Sequence, residues 1–377
     1  MQDIRMVDLK GQHESIKEEI KLEVDKVLNN TSFINGPVVN EFQKKLEEFN
    51  QVKHVIPCAN GTDALQIALM ALDLKPGDEV ITTDFTFIST IEVIVLLRLK
   101  PVLVDIDINT FNINPEEIKK AITNKTKAII PVHIFGQVSD MDEIMTIAKN
   151  NNIHVIEDNA QAIGALYTNF KGDKIKSGSI GDISATSFFP SKNLGGYGDG
   201  GAIFTNNSLF EKKIRAIVNH GMFKRYYHDY IGVNSRLDSI QAAILKVKLR
   251  YLDSYNQKRK KAAEIYNKFL NKKPGIILPF VKGELDSHVY HQYTIRVINK
   301  KRDLLANYLQ ENKIPYGIYY PVPLHLQKAY SNIGFKNENF INTNKVVNQV
   351  ISLPMHTELN YNQVEFICKK IIDFLDE

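Results

Sequence analysis

The sequence predicts an α/β protein with a mostly parallel sheet covered by helices, followed by a smaller α+β part. Short apolar runs alternate with helical patterns from about residue 60 to 220, and strands separated by helices are typical of the βαβ units of parallel sheets. The chain beyond this stretch mixes one strand with helices. At 377 residues the chain is long enough for two domains, which we place at residues 1–250 and 251–377.

The individual elements are predicted from their periodicity. Apolar runs bounded by turn residues indicate strands at 79–83, 102–106, 128–133, 153–157, 182–189 and 202–205. Apolar residues at every third or fourth position indicate helices at 64–72, 88–99 and 141–150, and one long helix at 237–269. The C-terminal part is predicted to hold a strand at 293–298 and helices at 301–311 and 362–375.

Charge and cysteine content narrow the class of protein. The formal net charge of +4 is small for this length and the charges are interspersed, so nothing favours nucleic-acid binding. Cys58 and Cys368 match no metal or redox spacing, which favours a reducing compartment, and the ten histidines show no zinc spacing. The N-terminus lacks the apolar core of a signal peptide, and the most apolar run, 91–99, is interrupted by Glu92 and Arg98. We therefore expect a cytoplasmic protein with no metal and no membrane partner.

Lys192 lies between an apolar strand and a run of glycines. The strand at 182–189 precedes it, and the glycines from Gly195 to Gly201 allow the backbone to approach a ligand closely. A lysine in such a cleft is partly desolvated, which lowers the pKa of the amine and makes it a usable nucleophile towards a carbonyl. The alternative interpretation is a surface lysine that follows a strand.

Asp158 ends the predicted strand at 153–157, and Gln161 follows three residues later. Ligands of open α/β sheets bind outside the carboxyl ends of the strands, so both side chains are expected at the floor of a crevice. A buried carboxylate there can keep the ring nitrogen of pyridoxal phosphate protonated, as the chemistry of that cofactor requires. Alone, Asp158 would be interpreted as a helix cap or turn residue; together with Lys192 it indicates a cofactor site.

A phosphate-binding helix start is predicted at 60–65. Gly61 lets the chain turn, the free amides of the first helical turn point at an anion, and the Thr62 hydroxyl adds a donor. Ser187, five residues before Lys192, is a second hydroxyl candidate. The alternative is an ordinary capped helix.

Three glycines match the G-x-G-x-x-G pattern of dinucleotide-binding folds, namely Gly196, Gly198 and Gly201. That pattern requires a strand before it and a helix after it, whereas residues 202–205 are predicted to form a strand. The match therefore gives no support for a dinucleotide-dependent oxidoreductase.

The chain resembles the DegT/StrS family over essentially its whole length. Four segments carry the resemblance, in the family's order: 60–65, 157–161, 187–196 and 232–243. The family consists of pyridoxal-phosphate-dependent sugar-nucleotide aminotransferases of fold type I. The resemblance therefore implies a large domain with a mixed, mostly parallel sheet between helices, a smaller C-terminal domain, and a homodimer with shared active sites.

The resemblance also implies roles for individual residues. Lys192 would bind the cofactor as an imine, Asp158 would pair with its pyridine nitrogen and Gln161 would bond its ring hydroxyl. The remaining contacts implied or predicted are Gly61, Thr62, Ser187 and the second subunit's Asn234 at the phosphate, Phe87 stacked on the ring, and Arg225, Arg236, Tyr319 and His325 at the substrate. Relatives that replace the lysine with histidine act as dehydratases, and Lys192 argues against that activity here.

The substrate is expected to be a nucleotide-linked keto sugar, with L-glutamate as amino donor. The segments 58–66, 187–201 and 232–243 look closest to enzymes that aminate C3 of UDP-2-acetamido-2-deoxy-3-oxoglucuronate for surface polysaccharides. Other members aminate C3 of dTDP-linked sugars or C4 of UDP- and GDP-sugars, and a noncatalytic regulatory protein on the same fold is a further alternative. Asn159 and Ile163, where many members have alanine and histidine, bear on contacts around the site or on substrate choice.

Arg236 is the candidate for recognising a uronate. A guanidinium group matches a carboxylate in two parallel hydrogen bonds, and the nearby Lys224, Arg225 and His228 are suited to hold a diphosphate. The alternative is a salt bridge from Arg236 to Asp238.

Overall fold

The computed structural model describes residues 4–376 and has a seven-stranded sheet at its centre. The chain forms β1 (His54–Cys58), β2 (Glu79–Thr83), β3 (Lys100–Val104), β4 (Thr126–Ile130), β5 (His154–Asp158), a separate hairpin of β6 (Leu166–Thr168) and β7 (Lys174–Lys176), β8 (Ile183–Ser187) and β9 (Gly201–Thr205). The spatial order of the large sheet is β1-β9-β8-β5-β4-β2-β3. β9 is antiparallel to both of its neighbours and the other pairs are parallel, so the sheet is mixed and mostly parallel, as predicted.

Helices cover both faces of this sheet. They are α1 (Leu9–Asn29), α2 (Pro37–Asn50), α3 (Gly61–Ala71), α4 (Ser89–Leu96), α5 (Pro115–Ala121), α6 (Met141–Asn151), α7 (Ser208–Ile217) and α8 (Ser239–Leu249). Successive side chains of a strand point to opposite faces, and Val80 and Ile81 of β2 belong to different buried clusters. One cluster includes α3, α4 and α7, and the other includes α5 and α6. The strands are therefore buried almost throughout, and this includes polar residues such as Thr82 of β2 and Ser184 of β8.

The rest of the chain forms an exposed hairpin and a second sheet. The hairpin consists of β10 (Met222–Lys224) and β11 (Tyr227–His228), and the second sheet is antiparallel with β12 (Ile276–Ile277), β13 (Tyr293–Val297) and β14 (Val350–Leu353). Around it lie α9 (Leu252–Leu270), α10 (Arg302–Glu311), α11 (Ile341–Val346) and α12 (Tyr361–Asp376). Tyr266 and Tyr293 stack at a centroid distance of 4.6 Å within its core. The predicted domain boundary at 250/251 falls between α8 and α9 and stays a prediction.

The single helix predicted at 237–269 is wrong, because the structure has two helices there, α8 and α9. The amides of Arg250 and Tyr251 bond to the carbonyls of Val247 and Lys248, at 3.2 and 3.0 Å, so the last turn of α8 tightens before α9 begins. No glycine or proline marks this break, and apolar periodicity alone does not reveal it.

The other predicted elements lie within a few residues of their predicted positions, whereas β1, α5 and α7 have no predicted counterpart. The strand β2 coincides with the predicted 79–83, and α6 extends one residue beyond the predicted 141–150. The strands β3 and β4 begin two residues before their predicted starts, because Lys100 and Thr126 are polar residues that pair within the sheet. Within residues 4–376, no helix is long and apolar enough to cross a membrane.

Candidate active site

Three segments meet at the carboxyl ends of β5 and β8. Asp158 is the last residue of β5, and the adjacent β8 ends at Ser187, just before the loop that carries Lys192. The first turn of α3 packs so closely against β8 that a Cβ on Gly61 would lie 2.7 Å from the Cβ of Ser187. The fold therefore brings Lys192, Asp158, Ser187 and Gly61 to one edge of the sheet.

Lys192 belongs to a loop fixed by hydrogen bonds. Its amide donates to the Phe189 carbonyl at 2.8 Å, and the neighbouring Asn193 side chain donates to Asn256 Oδ1 at 2.7 Å and to the Val289 carbonyl at 3.1 Å. Burial lowers the pKa of Lys192 to about 8, although the charge of Asp158 opposes this shift. About half of the amine is therefore neutral near pH 8 and available as a nucleophile.

The Asp158 carboxylate is buried and receives one donor on each oxygen. Thr90 Oγ1 donates to Oδ2 at 2.9 Å, and the Ala160 amide donates to Oδ1 at 3.2 Å. Burial raises the pKa of Asp158, while these two hydrogen bonds and the charge of Lys192 oppose the rise. Each oxygen keeps a free lone pair, so the carboxylate can accept a further hydrogen bond from a ligand.

The preceding residue, Glu157, is also buried, but its carboxylate has more hydrogen-bond partners than that of Asp158. Its carboxylate accepts hydrogen bonds from the amides of Gly178, Ile180 and Gly181 at 2.7 to 2.8 Å and lies 2.9 Å from His133 Nε2. These bonds hold the loop that precedes β8 and use the acceptor capacity of the carboxylate. Of the two adjacent acids, Asp158 is the one with capacity left for a ligand.

Gln161 and two aromatic rings line the neighbouring part of the crevice. Gln161 Oε1 accepts a hydrogen bond from the Phe135 amide at 2.7 Å, and its Nε2 donates to the hydroxyl of the half-buried Tyr320 at 3.3 Å. The Tyr320 ring lies 6.3 Å from that of Phe87, which is 54% exposed. The open ring of Phe87 leaves a face on which a planar ligand can stack.

The start of α3 has the features of an anion site. Asn60 Oδ1 accepts from the Asp63 amide at 2.8 Å, whereas the amides of Gly61 and Thr62 have no acceptor within the helix. The Thr62 hydroxyl lies 2.8 Å from the Ser89 hydroxyl, and Ser187 Oγ accepts from the Phe189 amide at 3.3 Å and keeps its own proton to donate. Two amides and two hydroxyls can therefore contact one anion.

The segment that carries Asn234 and Arg236 runs beside the start of α3. Asn234 forms a bridge with Asn219, and the adjacent Ser235 accepts a hydrogen bond from the Ala59 amide at 3.1 Å. The Asn234 side chain is exposed and Arg236 is half-buried. Between residues 4 and 376 neither side chain has a hydrogen bond or ion pair, so the salt bridge from Arg236 to Asp238 is not formed.

Two further residues predicted to contact the substrate, Arg225 and Tyr319, lie in different parts of the structure. Arg225 is exposed at the tip of the β10–β11 hairpin, with its guanidinium 4.9 Å from the ring of Tyr226. Tyr319 lies beside Tyr320, with the ring centroids 6.0 Å apart.

His325 is enclosed, and both of its ring nitrogens have partners within the chain. Nδ1 lies 2.6 Å from Asp84 Oδ2 and Nε2 lies 2.8 Å from Asn337 Oδ1. A direct bond from this ring to a substrate would require one of these partners to be exchanged. The geometry therefore favours a role for His325 in fixing the local structure.

The family model of the DegT/DnrJ/EryC1/StrS aminotransferases matches residues 14–372. The chain belongs to this family. Two relatives are each 45% identical: a "Pleiotropic regulatory protein" of Geobacillus stearothermophilus, over 99% of this chain and 98% of that protein, and the UDP-2-acetamido-2-deoxy-3-oxo-D-glucuronate aminotransferase of Pseudomonas aeruginosa, over 97% and 98%. The aminotransferase class predicted from the sequence is confirmed by this membership.

Solved structures of the family share the whole fold. DesV of S. venezuelae is 33% identical, covers 100% of both chains and superposes with a TM-score of 0.95. A Streptococcus pneumoniae protein described as a sugar aminotransferase, solved in its PLP form, is 28% identical with a TM-score of 0.87 and covers 95% of this chain and 96% of its own. The predicted fold type is confirmed, and the expected cofactor is the one carried by this solved relative.

Within this family fold, the structure reveals two residues beside the site that the sequence patterns do not single out. Thr90 bonds Asp158, and Tyr320 accepts from Gln161 and lies beside Phe87. A signal for Thr90 exists, because it follows Phe87 by three residues, and the Thr90 amide donates to the Phe87 carbonyl at 3.4 Å in the turn that leads into α4. No such signal exists for Tyr320, which reaches the site from 159 residues after Gln161.

Proposed function

We propose that this protein transfers an amino group from L-glutamate to the keto carbon of a nucleotide-linked sugar, with pyridoxal phosphate as cofactor. The observation that carries this proposal is the pairing of Lys192, with its lowered pKa, and the buried Asp158 in one crevice. A partly neutral amine and a carboxylate with free acceptor capacity are what a carbonyl cofactor with a protonated ring nitrogen requires. Family membership supports the same chemistry.

The residues present fit pyridoxal phosphate at each of its polar groups. Lys192 would bind its aldehyde carbon, Asp158 its ring nitrogen and Gln161 its ring hydroxyl through the remaining N–H of the side-chain amide. The phosphate would bind the amides of Gly61 and Thr62 together with the hydroxyls of Thr62 and Ser187, which the close packing of Gly61 against Ser187 brings to one place. Phe87 would stack on the ring, and Asn234 of a second subunit would complete the phosphate contacts in a homodimer.

The chain's own groups would orient the donor and move its proton. When bound, the cofactor supplies an electron sink that makes the Cα proton of the amino donor removable. The freed amine of Lys192 would take that proton from Cα and deliver it to the former aldehyde carbon of the cofactor, two bonds away, and in the second half of the cycle it would move a proton in the opposite sense. Glutamate leaves as its keto acid, and the ketone of the sugar becomes an amine.

For the substrate, we propose C3 of UDP-2-acetamido-2-deoxy-3-oxoglucuronate. The Pseudomonas aeruginosa relative supports this choice through its identity over nearly the whole of both chains. The unpaired, half-buried guanidinium of Arg236 also supports it, because a uronate offers a carboxylate for such a group. Other keto sugars, such as a dTDP-3-keto-6-deoxyhexose or a 4-keto sugar nucleotide, are the alternatives within the same chemistry. Arg225 and Tyr319 remain proposed substrate contacts.

The test is a panel of keto sugar nucleotides incubated with glutamate and analysed by mass spectrometry. We expect amine formation from the 3-oxoglucuronate to exceed that from the dTDP-linked and 4-keto sugars, with Lys192→Ala as the inactive control. If another sugar nucleotide is converted to a greater extent, that sugar would replace the 3-oxoglucuronate as the proposed substrate, and the proposed aminotransferase reaction would stand. A protein that binds pyridoxal phosphate and aminates none of the sugars would support the second candidate, a regulatory role, which the Geobacillus relative's description favours.

A further inference from the structure

The first turn of α4 contacts both ends of the proposed cofactor site. Ser89 Oγ lies 2.8 Å from Thr62 Oγ1 at the phosphate end, and Thr90 Oγ1 donates to Asp158 Oδ2 at 2.9 Å at the other end. Thr90 is 0% exposed, and its hydroxyl donates to no other acceptor in the described part of the chain. One short helical turn therefore joins the two groups that would hold opposite ends of the cofactor.

The Thr90 hydroxyl has a specific effect on the Asp158 carboxylate. It is the side-chain donor to Oδ2, while the Ala160 amide occupies Oδ1. A buried carboxylate with fewer donors favours its protonated form, and a protonated carboxyl group has no negative charge with which to keep a ring nitrogen protonated. The hydroxyl also fixes the plane of the carboxylate, which decides where the free lone pair of Oδ2 points.

We propose that Thr90 is a positioning residue, which orients the Asp158 carboxylate and keeps it ionised for the ring nitrogen of the cofactor. This inference rests on the proposed function, since it assigns Asp158 to that nitrogen. It predicts an effect confined to ligands that have the nitrogen. A residue that only stabilised the local fold would affect all ligands of the site alike.

The experiment compares two ligands on the full-length protein freed of cofactor. One ligand is pyridoxal phosphate, and the other is its carbocyclic analogue, in which a C–H group replaces the ring nitrogen. Thr90→Val keeps the shape of the side chain and removes the hydroxyl. We expect it to weaken binding of pyridoxal phosphate by about tenfold or more, the usual effect of a lost hydrogen bond to a charged group, and to leave binding of the analogue within about twofold of wild type.

Two further variants control for structural damage. Thr82→Val removes a buried hydroxyl that donates to the Ile130 carbonyl at 2.8 Å, and should lower stability without changing the ratio of the two affinities. Thr90→Ser keeps the hydroxyl and should restore that ratio. The inference would be overturned if Thr90→Val weakened the binding of both ligands equally, or weakened the binding of neither. Failure of the wild-type protein to bind pyridoxal phosphate would instead overturn the proposed function.

Discussion

Lys192 is half-buried and Lys248 is buried, and desolvation lowers the pKa of each to about 8. Their neighbours differ. The Lys248 amine lies 5.2 Å from the ring centroid of Tyr197 and has the cation Arg259 nearby, whereas Lys192 has the carboxylate Asp158 and an open crevice. A lowered pKa alone therefore does not identify a catalytic amine, and the surrounding groups decide which lysine is suited to bind a carbonyl.

Imine formation at Lys192 should follow the titration of this amine. Because the neutral amine is the nucleophile and its pKa is lowered to about 8, the rate of imine formation with pyridoxal phosphate should reach half of its plateau near pH 8 and change little above about pH 9. An unperturbed lysine, with a pKa of about 10.4, would show a rate still rising at pH 9. The measurement is the imine absorbance of cofactor-free protein, followed at a series of pH values.

Two variants make this test specific. Lys192→Ala should abolish the imine absorbance that borohydride removes. Lys248→Met removes the other lysine whose pKa burial lowers to about 8 and should leave both the absorbance and its pH profile unchanged. An imine that persists in Lys192→Ala and disappears in Lys248→Met would identify Lys248 as the anchor.

At the residue scale, the sequence predicts which residues react or bind the cofactor better than it predicts the hydrogen bonds that hold those residues in place. Glu157 and Asp158 are adjacent acidic residues. The prediction that Asp158 is the one in the cofactor site rests on its position at the end of the strand and on the family resemblance. The four bonds that occupy Glu157 come from His133 and from residues 178–181, which no local pattern connects to it. Asn159 and Ile163, where the family resemblance implies alanine and histidine, are buried, and Asn159 donates to the Ser177 carbonyl at 3.2 Å.

At the scale of elements, the site depends on the close packing of α3 against β8. Gly61→Ala would place a Cβ 2.7 Å from Ser187 Cβ and 3.2 Å from Ser187 Cα, so the first turn of α3 must move away from the strand. We expect the free energy of unfolding to fall by about 1 to 3 kcal/mol. Binding of pyridoxal phosphate should weaken as well, because the amides of that turn move. Urea unfolding and cofactor titration measure the two effects.

A second substitution separates stability from phosphate binding. In Gly61→Ala combined with Ser187→Gly, the side-chain clash is removed, so part of the unfolding free energy should return. The affinity for the cofactor should stay low, because the Ser187 hydroxyl is lost. Recovery of both quantities together would show that this hydroxyl does not bind the phosphate.

Many of the strands and helices around the site were predictable, because short apolar runs alternate there with segments of helical periodicity. Their pairing was not fully predictable. The sequence does not reveal that β9 inserts antiparallel between β1 and β8, since the apolar pattern of a strand does not specify its neighbours or its direction. The break between α8 and α9 was missed because its cause is a change in hydrogen bonding at Arg250 and Tyr251, without a glycine or proline.

At the scale of the whole molecule, the proposed homodimer predicts that active sites are shared. The exposed Asn234 side chain has no partner within residues 4–376, although Ser235 beside it bonds the start of α3 of the same chain. Mixing inactive Lys192→Ala protein with inactive Asn234→Ala protein should restore part of the aminotransferase activity after subunit exchange, because one of the two mixed sites is then intact. Confirmed exchange without recovery of activity would place each site within a single chain.

The choice of sugar also belongs to this scale, because Arg236 would reach its substrate across the same subunit contact as Asn234. Its guanidinium is half-buried and forms no ion pair with Asp238, so it is available for a carboxylate. Arg236→Lys keeps the charge but loses the two parallel hydrogen bonds of the guanidinium. For the uronate we expect kcat/KM to fall by the equivalent of about 1 to 3 kcal/mol.

The matched substrate for this variant is the same keto sugar nucleotide with CH2OH in place of the C5 carboxylate. Such a sugar has no charge to pair with Arg236, so its kcat/KM should change little between the wild-type protein and Arg236→Lys. A large loss for the uronate with a small loss for the neutral sugar would assign Arg236 to the carboxylate. Equal losses for both sugars would instead assign Arg236 to the local structure or to the carboxylates of glutamate, which take part in both reactions.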